Sequence, residues 1–175
     1  FLSALHRAEE GAAEHLKRLL RRPPPWGKLD MAVAIPWVER RTGLILSESQ
    51  RLAVDRACRS KVTVITGGPG VGKTTVVNSI LQILRVKGVK VLLAAPTGRA
   101  AKRMSETTGI PAKTLHRLLE FDPREGGFKR NQDSPLDAEL VVLDEVSMVD
   151  VVLAHQLLRA IPDRAALMLV GDVDQ

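Results

Sequence analysis

Apolar residues recur at helical spacing through the first 22 positions. Leu2, Leu5, Ala12, Leu16 and Leu19 fall on one face, while Arg7, Glu10, Glu14, Lys17 and Arg18 lie mostly elsewhere. The pattern predicts an amphipathic helix over 1–22. Arg21-Arg22-Pro23-Pro24-Pro25 ends it, because proline donates no backbone hydrogen bond and restricts the residue before it. A second short helix is expected over Asp30–Arg41, with Pro36 demoting its first half to a turn or a fresh helix start and Gly43 closing it. Residues 1–43 thus read as a small helical appendage and 44–175 as the main domain.

From Ser47 onward the pattern alternates regularly. Ser47-Glu48-Ser49-Gln50 has capping-box spacing and opens a helix to about Arg59. Lys61–Thr66 is an apolar, β-branched run that predicts a buried strand. A helix follows over Gly72–Val86, stopped at Lys87-Gly88, and Val89–Ala95 is a second buried strand. Arg99–Thr108 reads as a helix broken at Gly109-Ile110-Pro111, and Thr114–Glu120 as a short one. Residues 121–137, polar and rich in glycine and proline, predict a loop or small hairpin. Glu139–Leu143 is a third strand, Asp150–Ala160 a helix and Ala166–Val170 a fourth strand. Continuous apolar strands alternating with helices predict an α/β fold, a parallel sheet covered on both faces and joined by right-handed crossovers.

Composition narrows the class. The 175 residues carry 45% hydrophobic and 26% charged side chains, an ordinary globular balance. The net charge of +6 fits a nucleic-acid partner or simply a solvated basic surface. The one cysteine, Cys58, cannot form an internal disulfide and reads as a small core residue; nothing points to an oxidising compartment, and a cytoplasmic location is expected. No apolar run approaches the ~20 residues of a membrane span, and no signal peptide is visible. A start at Phe1 and a stop at Gln175 directly after a strand lead us to expect a piece of a longer protein.

The candidate chemistry begins at Gly67-Gly68-Pro69-Gly70-Val71-Gly72-Lys73-Thr74, which matches G-x-x-x-x-G-K-[ST] at every fixed position, between a strand and a helix. Glycines let backbone N–H groups turn inward around phosphate oxygens, and the helix N-terminus adds partial positive charge. Lys73 is placed to reach the β- and γ-phosphates and the Thr74 hydroxyl to hold magnesium; the ligand expected is Mg2+–ATP. The second element, Leu140-Val141-Val142-Leu143-Asp144-Glu145, delivers two carboxylates at a strand end. Asp144 suits the metal shell, and Glu145 the base that orients or deprotonates water. The third, Gly171-Asp172-Val173-Asp174-Gln175, ends in an amide that could bond a γ-phosphate or its attacking water, although a Gly-Asp turn explains Gly171 and Asp172 without any function.

Taken in order, GGPGVGKTT (67–75), AAPTGRAAKRM (94–104), TLHRLLE (114–120), LDEVSMVD (143–150) and LVGDVDQ (169–175) resemble the successive motifs of superfamily 1 DNA helicases of the RecD/TraA type, exodeoxyribonuclease V alpha-subunit-like, over about Leu44–Gln175. The resemblance implies a RecA-like P-loop NTPase domain, the first motor domain of a 5′-to-3′ helicase or translocase on single-stranded DNA, acting in DNA repair or recombination, with other subunits of such a complex as further partners. It places Gly68, Pro69, Gly70, Val71, Gly72, Lys73, Thr74 and Thr75 on the nucleotide, Thr74 and Asp144 on the metal, and Lys73, Glu145 and Gln175 in catalysis. Gln50 would contact adenine, though it is also the capping-box partner of Ser47. Thr97 and Arg99, at the turn after the second strand, would contact DNA phosphates; Lys102 and Arg103 stay open. His116 could touch DNA or pack structurally. With 3% aromatic residues and no tyrosine, backbone contacts should dominate over base stacking.

The motor elements the resemblance places after Gln175, an arginine finger among them, are not in the sequence, so this stretch alone is expected to bind nucleotide, hydrolyse it weakly and not unwind. An RNA helicase of the same superfamily would carry the same motifs. A GTPase or nucleotide switch would want an Asn-Lys-x-Asp motif, which is absent. A small-molecule kinase would want an arginine-rich lid, and Asp144-Glu145 suits water better than an acceptor. Residues 1–43 could be a non-enzymatic docking module.

Overall fold

The computed structural model describes residues 2–173. Its helices are α1 (Leu2–Leu20), α2 (Met31–Thr42), α3 (Glu48–Arg59), α4 (Lys73–Val86), α5 (Gly98–Thr108), α6 (Leu115–Leu118) and α7 (Val151–Ala160). Its strands are β1 (Val62–Thr66), β2 (Val91–Ala95), β3 (Ala112–Thr114), β4 (Phe121–Asp122), β5 (Gly127–Phe128), β6 (Leu140–Leu143) and β7 (Ala166–Gly171). β1, β7, β6, β2 and β3 form, in that order, one wholly parallel sheet. β4 and β5 make a separate antiparallel hairpin inside the 121–137 segment.

The expected two-faced burial is visible in β6. All four of its residues are buried, and they alternate between two cores: Leu140 and Val142 join one, Val141 and Leu143 the other. This is the period of two that a strand imposes. The first core packs α2, α3 and α4 on one face of the sheet, through Met31, Val38, Val54, Ile80 and Leu84. The second packs α1, α6 and α7 on the other, through Leu19, Leu115, Leu157 and Leu158. Cys58 lies in the first core, and burial pushes its thiol up to about 12.

α1 is fastened to α7 by more than apolar contact. The Arg18 guanidinium donates to the carbonyls of Leu158 and Ile161, each at 2.9 Å, pairs with Asp163, and donates through Nε to His15 Nδ1 at 3.1 Å. It thereby adds donors at the carbonyl end of α7, where Leu158 O also accepts from Ile161 N at 3.4 Å. His15 and His155 face each other across the helix pair, with ring centroids 5.6 Å apart. The close approach needs Gly11, where a β-carbon would collide with the His155 ring.

Two local expectations fail. Pro36 does not break α2, which runs unbroken over Met31–Thr42. One missing N–H removes a single helical bond, while an Asp30 cap on Ala32 N and the burial of Met31 and Val38 hold the turns on either side. The second strand starts at Val91, not Val89, because Val89 N closes the α4 turn on Leu84 O. The capping box appears as expected: Ser47 Oγ accepts from Gln50 N at 3.2 Å and Gln50 Oε1 from Ser47 N at 2.9 Å.

Candidate functional site

Parallel strands leave all their C-terminal ends on one edge, and every candidate motif follows such an end. The glycine loop leaves β1 after Thr66, Asp172 follows β7, and Asp144-Glu145 follows β6. The Thr97–Arg99 turn follows β2 and His116 follows β3. The register Ala95↔Thr114 sets Thr97 and His116 two residues beyond paired positions on neighbouring strands.

The first three motifs line one cleft of about 480 Å3, together with Asn78, Arg103, Thr107 and Thr108. Gly68, Pro69, Gly70, Val71, Gly72, Lys73 and Thr74 line it together with Asp144, Glu145 and Asp172. Gly70 (φ 75°) and Gly72 (φ 83°) take the left-handed conformation that lets the loop reverse. The start of α4 differs from those of the five helices with a described side-chain cap. α2, α3, α5, α6 and α7 each begin with a side-chain cap, from Asp30, Ser47, Thr97, Thr114 and Asp150. At α4 the cap position is Gly72 and no side chain caps it. Its first N–H groups and the positive end of its dipole are therefore available to an anion.

Lys73 Nζ donates to the carbonyls of Gly67 at 2.5 Å and Gly68 at 2.9 Å, and pairs with the Asp172 carboxylate. The sequence assigns Asp172 no role beyond a Gly-Asp turn; the available signal is its position directly after an apolar strand, as for Asp144. Asp144 Oδ1 accepts from the backbone N–H of Glu145 at 2.8 Å. Glu145 has φ 52°, unusual for a non-glycine residue, and its side chain meets the Arg103 guanidinium at 2.5 Å. Strained backbone of this kind persists where the surroundings hold it and gathers at functional sites.

Gln50, Thr75, Thr97, Arg99 and His116 are not among the residues that line the cleft. Gln50 fills its capping role with Oε1, while its amide nitrogen lies close enough to collide with a β-carbon on Gly72. The cap and a place beside the phosphate loop are thus compatible, which the choice between them had not anticipated. Thr75 is half-buried in the first turn of α4, its carbonyl accepting from Ser79 Oγ at 2.8 Å. Thr97 is exposed and its hydroxyl caps Ala100 N at 3.2 Å; Arg99 is exposed. His116 is exposed and packs edge-on against Phe121 and more obliquely against Phe128, both at 5.7 Å. Gln175 lies outside the described residues.

A metal ion fits the donor set. One hydroxyl and one carboxylate, Thr74 and Asp144, suit magnesium, which keeps waters and shares phosphate oxygens rather than demanding an all-protein cage. Among the described residues no helix is long and apolar enough to cross a membrane.

A parallel sheet whose first strand feeds a glycine loop into an uncapped helix, with a carboxylate pair two strands away, defines a P-loop NTPase fold. Residues 50–175 match the family model described as AAA domain, and the chain belongs to that family, as a RecD-type superfamily 1 motor domain. It is similar to the ATP-dependent RecD2 DNA helicase of Deinococcus radiodurans, 39% identical over 175 residues, covering all of this chain and 24% of the relative. The RecBCD enzyme subunit RecD of Mycobacterium tuberculosis is 34% identical over 198 aligned positions, covering all of this chain and 33% of that protein. The crystal structure of the Pif1 helicase of Candida albicans superposes with a TM-score of 0.55 at 26% identity, over 75% of this chain and 33% of that one. The chain thus spans between a quarter and a third of these proteins.

Proposed function

We propose that this domain binds Mg2+–ATP and hydrolyses it as part of a motor that moves 5′-to-3′ on single-stranded DNA. The observation that carries the reading is the shared sheet edge. Asp144-Glu145 follows β6, the neighbour of β2, whose end carries the exposed Thr97–Arg99 turn, with His116 one strand further on; Glu145 meets Arg103 of α5 in the cleft that the uncapped start of α4 also lines, so a triphosphate site and a candidate phosphodiester track share one sheet edge. Names of similar proteins support it: an ATP-dependent DNA helicase from Deinococcus radiodurans and a Pif1 helicase.

In this reading the loop from Gly68 to Thr75 cradles the phosphates, with N–H groups from all of its residues but Pro69, Lys73 exchanges Asp172 for them, and Gln50 flanks the adenine. Thr74 and Asp144 hold magnesium, which would neutralise charge building on the phosphates. Glu145 accepts a proton from the attacking water, and Gln175 senses the γ-phosphate. Thr97, Arg99 and His116 hold the strand. We place the whole protein in the cytoplasm, and a role beside other subunits of a recombination or repair complex follows the RecBCD designation of the Mycobacterium relative.

The test is steady-state ATP hydrolysis by the full-length protein, alone, with oligo-dT and with oligo-rU, plus strand displacement on duplexes with 5′ or 3′ tails. Stimulation by DNA and displacement only from 5′ tails are expected, with both lost in Lys73→Ala and Glu145→Gln. Stimulation by RNA alone would make it an RNA motor, and no stimulation by either would remove nucleic acid from the reading.

A further inference from the structure

We propose that Arg103 is a positioning residue that holds Glu145 out of action until nucleic acid draws it away, an inference that rests on the motor reading above. Three observations meet here. The Arg103 guanidinium lies 2.5 Å from Glu145 Oε1, although the two residues are on different elements and 42 positions apart in sequence. The Glu145 backbone is separately pinned: its N–H donates to Asp144 Oδ1 at 2.8 Å and its carbonyl accepts from Met148 N at 3.0 Å, with φ held at 52°. Since the main chain is fixed, what remains free to change is the carboxylate, and Arg103 decides where it points.

The third observation is where Arg103 sits. It is one helical turn beyond Arg99 on α5, and residues four apart share a face. Its side chain is 69% exposed, whereas that of Glu145 is 22% exposed. A phosphodiester backbone lying on Thr97 and Arg99 therefore passes within reach of a guanidinium whose present partner is a carboxylate. Phosphate and carboxylate both satisfy that planar fork, so the two anions compete for it. When phosphate takes Arg103, Glu145 loses its ion pair and is left free to accept a proton from water. α5 is also tied to the phosphate-loop helix, since Asn78 Nδ2 on α4 donates to Thr107 O at 3.3 Å. The helix that meets the strand and the helix that meets the triphosphate are thus joined at a second point.

A residue that merely binds nucleotide would behave differently from Arg103. In the full-length protein, Arg103→Ala should raise the DNA-free kcat for ATP about fivefold or more while leaving the KM for ATP and the DNA-saturated kcat nearly unchanged, so the stimulation ratio collapses. Arg103→Lys, which keeps the charge and loses the fork, should fall between. Because Arg103 is mostly exposed, both variants should melt with the wild type. A fall in kcat with and without DNA, a raised KM, or an unchanged ratio would each overturn it. A wild-type rate indifferent to single-stranded DNA would sink the motor reading instead, and the DNA-free rate of Arg103→Ala would still decide whether Glu145 is restrained.

Discussion

The Lys73 ammonium is held between the Gly67 and Gly68 carbonyls and the carboxylate of Asp172, 99 positions away in sequence. Before a phosphate can take that ammonium, Asp172 must give it up, so the ion pair is a competitor of the nucleotide. Both side chains are largely shielded, 17% and 22% exposed. Releasing a pair worth about 1 kcal/mol corresponds to roughly a fivefold change in affinity. Asp172→Asn should therefore tighten ATP and ADP binding by about that factor in a titration with a fluorescent nucleotide. An unchanged or weaker affinity would mean that Asp172 helps to bind rather than competes.

Gly72 and Gly70 make a matched pair. Both have left-handed backbones, but a β-carbon at Gly72 would also strike the Gln50 side chain, while at Gly70 it meets open space. Gly70→Ala should cost about 1–2 kcal/mol of strain. Gly72→Ala should cost more and disturb the α3 capping box as well. Thermal melts and nucleotide titration should rank them in that order; equal effects would show that the Gln50 contact does not matter.

How much of this was legible beforehand depended on whether a feature was local. The glycine loop, the Ser47 capping box and the strand ending in Asp144-Glu145 are short-range patterns, and the structure keeps them where the sequence put them. β3 was missed because three residues after Pro111, Ala112–Thr114, have no periodicity to read; the edge of β2 makes them a strand. Pro36 misled because propensity is local and the packing of Met31 and Val38 is not. The partners of Lys73 and Glu145 were invisible for the same reason: Asp172 and Arg103 reach them only once β7 and α5 are in place.

The attachment of α1 should show in stability. Leu19 is fully buried in the core beneath α1 and α7, whereas Leu2 is 81% exposed. Leu19→Ala should lower unfolding free energy by about 2–5 kcal/mol, and Leu2→Ala should leave denaturant midpoints within error. A small loss at Leu19 would mean that α1 contributes little to the fold.

The histidine pair predicts a pH dependence. Burial, then the charges of Arg18, His155 and Arg159, lower the His15 pKa; burial, then Arg159, lowers that of His155. A folded-state pKa below the ordinary 6.5 means that the unfolded chain binds more protons in the interval between. This part of the stability is complete above pH 6.5 and is lost as the pH falls from there toward the lowered folded values. Asp163, lowered chiefly by its bond to Arg18, loses its contribution in a separate window beneath the ordinary carboxylate range. Melting temperature should decline as the pH falls below 6.5, and His155→Gln should flatten that slope. Parallel slopes in variant and wild type would rule the pair out as its source.

Cys58 offers a practical use. It is the single thiol of the chain, 1% exposed, and with its pKa near 12 it carries almost no thiolate at neutral pH. Alkylating dyes should pass it by, so within this domain a cysteine introduced at an exposed position such as Lys102 would take the label alone. A fluorophore there would ride on α5, and its emission could report in real time whether that helix shifts when a strand binds.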